Sequence, residues 1–299
     1  MSFLQNIKVD NPCSKITEKK RECFVDTGKK INTGGQTLSI TIEKYICDPT
    51  ISSLFVVKEM KKPKVNTQSQ TIQKLVMDHP NIPKICAVID DKSDNIITIT
   101  EYLENSKELS DIQSPINTED IYIIIKNVLS VLSYIHNCNI SHNDIKPENI
   151  IFNETSKQLF VIDWDLSVYF DDKKVVRYGT PIYQPYGTKI VSSGARDIWG
   201  FGTTLYVLIQ RMYLNLEELK EEYKYINRLV SIDKHDEPRI LQETIDTKVN
   251  GLNTTRLVKL MIKKMLNIHQ RDIPKASELL ELFIRFLRNN TSKEEVLKK

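Results

Sequence analysis

The eight residues His142-Asn143-Asp144-Ile145-Lys146-Pro147-Glu148-Asn149 constrain this chain more than any other feature. They place a carboxylate, an ammonium and an amide within six positions, Asp144 to Asn149. The strongly apolar stretch 121–136 precedes them and reads as a buried helix. Short strand-like runs, 150–153 and 159–162, follow. A second carboxylate, Asp163, ends the last run, 19 residues after Asp144. A turn that merely joins a helix to a strand has no need of this set of ionic and amide groups.

The rest of the chain divides in two. Residues 22–60 are strand-like: Leu38, Ile40 and Ile42 alternate with Ser39, Thr41 and Glu43, and Phe55-Val56-Val57-Lys58 is a β-branched run. Ile72, Leu75 and Val76 are spaced as on a helix over 66–77, which ends before His79-Pro80. Two more strands are expected near 85–89 and 96–100. After Tyr102-Leu103 the pattern turns helical, with a capped start at Thr118-Glu119-Asp120 and helices over 121–136, 197–211, 216–229, 254–267 and 275–288. The expected fold class is α+β, a strand-rich N-lobe before a helical C-lobe. The expected division is an extension over 1–22, one domain over 23–288 with lobes 23–102 and 103–288, and a tail over 289–299. With 299 residues and 40% hydrophobic content, the chain can bury such a core.

Composition narrows the function classes. Net charge is +3, from 42 basic and 39 acidic residues, which makes no case for nucleic-acid or membrane binding. No run of 18 apolar residues occurs, and the first residues lack the apolar stretch of a signal peptide. Five scattered cysteines without a CxxC pair read as reduced thiols of a cytoplasmic or nuclear protein that is not secreted.

Phosphoryl transfer from ATP needs the groups gathered at 142–163: a carboxylate for the substrate hydroxyl, a cation for the moving phosphoryl group, and an amide with a second carboxylate for magnesium. The string resembles the catalytic loop of the eukaryotic protein kinases, and Asp163-Trp164-Asp165 resembles their magnesium-binding tripeptide. The resemblance extends to Thr100-Glu101-Tyr102-Leu103 as hinge, Gly179-Thr180-Pro181 as the end of the activation segment, Asp197-Ile198-Trp199-Gly200 as the helix behind the catalytic loop, and Arg271. It implies the two-lobed protein kinase fold, with ATP and Mg2+ as cofactors and a protein as substrate. Asp144 would be the catalytic base and Lys146 would steady the γ-phosphoryl group. Asn149 and Asp163 would hold Mg2+, and Lys58 the α- and β-phosphates. Gly34 would lie in the glycine-rich loop, and backbone groups at Glu101 and Leu103 would bind adenine. Lys146 and Thr180 imply transfer to Ser or Thr. Choline- and aminoglycoside-type phosphotransferases resemble the His-Asn-Asp and Asp-Trp-Asp strings but lack the 179–181 and 197–200 motifs.

Four departures from the family pattern bear on mechanism. Only Gly34 falls on a family glycine, with Gly35 beside it. The helix after Lys58 carries Gln70 where a glutamate is usual, so either a Gln70–Lys58 hydrogen bond stands in place of the ion pair or the helix is displaced. Asn143 replaces the arginine that reads a phosphate on the activation segment, so catalysis without that phosphate is expected. The hydroxyls there include Ser167, Tyr169, Tyr178 and Thr180, with Lys173, Lys174 and Arg177 as other cations. Tyr186 stands near the place of the glutamate that pairs with Arg271, and Asp165 replaces a glycine. These losses raise a nucleotide-binding pseudokinase scaffold as an alternative, beside the small-molecule phosphotransferase. Retention of Lys58, Asp144, Lys146, Asn149 and Asp163 argues for an active enzyme. The Ile/Lys/Asn-rich composition and relaxed motifs resemble kinases of large DNA viruses, and His-Asn-Asp resembles the baculovirus protein kinase 1 group. That narrower resemblance implies a basic, Ser/Arg-rich DNA-packaging protein as substrate, inside a host cell. The acidic residues Glu217, Glu218, Glu221 and Glu222 fit it but read more simply as a solvated helix face.

Overall fold

The computed structural model describes residues 11–30, 37–62, 67–90, 94–112, 115–170, 179–185, 193–210 and 238–296. The chain forms two compact units that part between Glu104 and Asn105.

The first unit is built on five antiparallel strands: β1 Phe24–Lys30, β2 Thr37–Tyr45, β3 Leu54–Lys61, β4 Ile85–Asp90 and β5 Asn95–Glu101, in the order β1-β2-β3-β5-β4. Successive side chains point to opposite faces, so register sorts them. Thr41, Val57 and Ile99 align on one face, and Ile40, Lys58 and Thr98 on the other. The first face carries the core, where Phe55, Val57, Ile97 and Ile99 pack with Ile16, Cys23, Phe24 and Tyr45. Residues 11–23, polar in sequence, thus run as a strap over this face. Ile16 is 5% exposed, and the Arg21 guanidinium holds the buried Glu43 carboxylate with two bonds of 2.6 and 2.8 Å. The opposite face meets α1, Thr67–Val76, whose Ile72 and Val76 are fully buried. The Gln70 amide nitrogen donates to Thr98 Oγ1 at 3.1 Å.

The cysteines correct the sequence reading. Cys13 is disulfide-bonded to Cys86 and Cys23 to Cys47, with Cα–Cα distances of 4.6 and 5.1 Å. Only Cys138 is free. The pairing depends on strand register and on the path of the strap, neither of which spacing along the chain reveals.

The second unit is mainly helical. Helix α2, Thr118–Asn137, is capped one residue earlier than expected, because the Asn117 side chain accepts from the Asp120 N–H at 2.8 Å. Ile121, Ile124, Ile125, Val128, Leu129, Leu132 and Ile135 give it a buried stripe at helical spacing. Small sheets follow: β6 Lys107–Glu108, β8 Ile150–Phe152 and β9 Leu159–Val161 form one, and β7 Ile140–Ser141 pairs with β10 Val168–Tyr169 in another. The remaining described helices are α3 Ser193–Gln210, α4 Pro238–Gly251, α5 Arg256–Met265 and α6 Ala276–Val296. Helix α6 packs on α2, with Phe283 edge-on to Tyr122 at 5.6 Å. The expected helix over 216–229 lies outside the described residues. No described helix is long and apolar enough to cross a membrane.

Candidate active site

The loop between β7 and β8 is held from beneath by a buried carboxylate. Asp197, on α3, accepts from the backbone N–H groups of His142 at 2.9 Å and Asn143 at 2.7 Å. It also accepts from Ser141 Oγ at 2.9 Å, and His136 Nε2 lies 2.9 Å away. Burial drives the Asp197 carboxyl pKa up, but the hydrogen bond and charge of His136, with His142, outweigh it and hold it below the usual range.

Above this base the sequence-predicted polar residues converge. Asp144 is 5% exposed. Its Oδ2 meets Lys146 Nζ at 2.8 Å and Asn149 Nδ2 at 3.0 Å. Its Oδ1 accepts from Thr180 N at 2.9 Å and Thr180 Oγ1 at 3.1 Å. Lys146 Nζ also donates to Thr180 Oγ1 at 2.9 Å. Burial raises the Asp144 pKa, yet Lys146, the Thr180 N–H and His142 together bring it below the usual carboxylate value. The group is thereby kept ionised and able to accept a proton-bearing hydroxyl. Gly179 makes the approach of Thr180 feasible: a Cβ there would meet Asn143 O at 2.3 Å and Asp144 Oδ1 at 2.9 Å.

Asp163 ends the strand β9 segment with φ 61°, and Asn143 has φ 67°. Asn and Asp are the non-glycine residues that adopt this left-handed conformation most readily. Asp163 is exposed. The Asn149 amide nitrogen is engaged twice by Asp144, at its main-chain and side-chain oxygens, which leaves the amide carbonyl oxygen as the acceptor it presents. One carboxylate and one amide oxygen are hard donors of the kind Mg2+ takes, so this pair fits the ion. Behind them the Trp164 ring packs edge-on against His142 at 4.8 Å.

Two residues that the sequence reading missed make contacts with residues it singled out. Arg196 is buried, with Nη1 3.4 Å from Asn143 Oδ1, and the Asn143 amide donates to Leu166 O at 3.1 Å. A cation thus approaches position 143 from α3. Its signal was a charged residue directly before Asp197 in an otherwise apolar helix. Thr98 is the other: it receives Gln70 and sits opposite Lys58 in the β3–β5 register.

Lys58 and the residues expected to form the hinge, Glu101 and Leu103, belong to the first unit. Glu101 is 7% exposed, its carboxylate accepts from Lys84 N at 2.9 Å, and its own N–H donates to Lys84 O at 3.1 Å. Burial raises the Glu101 pKa, opposed by the Lys84 N–H and charge. Leu103 is buried two residues on. Gly34, Gly35, Lys173, Lys174, Arg177, Tyr178 and Tyr186 lie outside the described residues.

The family described as "Protein kinase domain" matches residues 44–283. The chain belongs to the protein kinase family. It is 29% identical over 184 residues to a casein kinase II subunit alpha homolog of Encephalitozoon cuniculi, covering 58% of this chain and 56% of that protein. It is 29% identical over 208 residues to a serine/threonine-protein kinase of Acanthamoeba polyphaga mimivirus, covering 62% of this chain and 74% of that protein. Its fold is similar to that of the Cydia pomonella granulovirus kinase PK-1, with a TM-score of 0.62 at 19% identity over 87% of this chain and 93% of that one. The likeness to kinases of large DNA viruses expected from composition and motifs is therefore present, and the fold is the two-lobed α+β fold of protein kinases.

Proposed function

We propose that this chain is an ATP- and Mg2+-dependent protein kinase that phosphorylates Ser or Thr. The observation that carries this reading is the bonded set Asp144–Lys146–Thr180–Asn149, with Asp144 ionised at its centre. Asp144 accepts and orients the substrate hydroxyl. Lys146 steadies the γ-phosphoryl group, and Lys58 holds the α- and β-phosphates. Asn149 and Asp163 hold Mg2+, which neutralises charge on the transferred group. Backbone groups at Glu101 and Leu103 bind adenine. Thr180, fixed between Asp144 and Lys146, favours a Ser or Thr hydroxyl. The substrate class we propose is a basic, Ser/Arg-rich protein. It rests on the resemblance to viral kinases.

The test is transfer of radiolabelled phosphate from ATP to a protamine-like basic protein, an acidic casein-like protein, choline and an aminoglycoside. The reading expects labelled Ser or Thr in protein, more in the basic one. Label confined to choline or the aminoglycoside would make the chain a small-molecule phosphotransferase. Nucleotide binding with no transfer to any of the four would make it a pseudokinase scaffold.

A further inference from the structure

The strap over the first unit is closed twice. Cys13–Cys86 spans 73 positions of chain and Cys23–Cys47 spans 24, the second ring lying inside the first. Both bonds sit at the same core, on the sheet face opposite Lys58 and Thr98. Between them the strap is held by Ile16 in the core, by the Arg21–Glu43 fork, and by the Glu18 N–H on Tyr45 Oη at 3.1 Å.

Cys86 occupies a particular place in the sheet. The register of β4 on β5 shifts between Ile85 and Ala87, so Cys86 is the extra residue of a bulge. Lys84, two residues back, receives and gives the bonds that fix Glu101, and Cys13 Sγ lies 3.7 Å from Lys84 O. The outer disulfide therefore ties the strap to the bulge that positions the hinge strand.

We infer that Cys13/Cys86 and Cys23/Cys47 are sites of reversible disulfide modification, that their closure clamps the strap, and that closure of the outer pair tightens nucleotide binding at the hinge. The nucleotide part rests on the kinase reading above; the closure does not. Each closure converts two thiols into one S–S bond, releasing two protons and two electrons. A small-molecule disulfide such as oxidised glutathione takes the electrons and becomes two thiols. In a compartment that keeps thiols reduced, the state of these pairs is then a variable set by the redox poise.

The experiment uses the full chain, reduced with a phosphine and then reoxidised with oxidised glutathione. Alkylation in denaturant should count five thiols in the reduced protein and one, Cys138, in the oxidised protein. Non-reducing digestion and mass spectrometry should give the 13–86 and 23–47 linked peptides. Reduction should lower the melting temperature by about 5 °C or more. It should weaken binding of a fluorescent ATP analogue by about fivefold or more, the lower end of typical coupling between two sites. The double variant C13S/C86S should resemble the reduced protein in nucleotide affinity, and C23S/C47S should keep a redox-dependent affinity.

Five thiols after oxidation would overturn the modification. One zinc per chain retained after oxidation, with Glu18, Cys23 and Cys47 as the ligand group and no 23–47 linked peptide, would overturn the assignment of the inner pair as a disulfide. A melting shift with unchanged affinity would overturn the link to the hinge. A melting shift with no nucleotide bound in either state would sink the kinase reading and leave the closure standing.

Discussion

The hydroxyl of Thr180 lies 2.9 Å from the ammonium of Lys146. Both also bond to Asp144, so one hydroxyl bridges a cation and a carboxylate. Thr180→Val removes the bridge and should lower kcat roughly tenfold to a hundredfold, the range for hydrogen bonds to charged groups. Thr180→Ser keeps the hydroxyl and should stay near the wild-type rate. Equal losses in the two variants would show that the methyl group, not the bridge, matters.

Asp144 and Asp163 should separate kinetically. Asp144→Asn should lower kcat by roughly 10²–10⁴-fold, the span for a general base, with ATP binding largely intact. Asp163→Asn should weaken Mg·ATP binding as well as turnover. Single-turnover rates beside nucleotide titrations check both. An Asp144→Asn protein with half the wild-type rate would remove Asp144 from the reaction.

The Gln70–Thr98 hydrogen bond places α1 beside Lys58 without a carboxylate. Lys58→Met should abolish activity. Gln70→Ala and Thr98→Val should each cost about tenfold at most, since a neutral bond contributes roughly 0.5–1.5 kcal/mol. Because they break one bond, the double variant should cost no more than either single change. Additive losses in that cycle would refute a shared bond.

Ser167 is fully buried and its hydroxyl donates to Trp164 O at 2.6 Å, so it is not open to phosphorylation. With Asn143 occupied by Arg196 and Leu166, the loop is held by internal contacts. Protein stripped by phosphatase, with the removal verified by mass spectrometry, should keep most of its initial rate. A tenfold fall restored by autophosphorylation at Tyr169 or Tyr178 would contradict this.

His79 supplies a pH dependence of stability. Burial lowers its pKa from 6.5 to about 4, and its Nδ1 accepts the Asn81 N–H at 3.2 Å, a bond that a proton on Nδ1 would break. Between those values the unfolded chain binds more protons than the folded one. The contribution is therefore complete above the ordinary pKa and is lost as pH falls toward about 4, up to roughly 3 kcal/mol. Urea unfolding at a series of pH values should show this loss, and His79→Asn should flatten it. Identical pH slopes for the two proteins would exclude His79 as the cause.

The strands and the site loop were legible because their chemistry is local. Alternation at Leu38–Ile42 marks a half-buried strand, and residues 142–149 carry their groups on one short loop. Helix α4, Pro238–Gly251, was not foreseen, because its sequence is mixed and polar and gains its place by packing on its neighbours. The strap was legible only as a polar segment. Ile16 and Cys23 are too few to signal burial until a sheet face exists to receive them. Arg196 and Thr98 act across elements far apart in sequence, so no spacing rule could join them to Asn143 or Gln70.

Asp197 binds the backbone N–H groups of two successive residues just ahead of Asp144 and is itself sealed within α3. The loop therefore has no independent way to fray. Opening it strips two charge-assisted hydrogen bonds from a buried carboxylate, at a cost that local fluctuation does not meet. Solvent exchange at the amides of His142 and Asn143 thus reports the cooperative opening of the helix core beneath them, and the geometry around Asp144 persists for as long as that core stays closed.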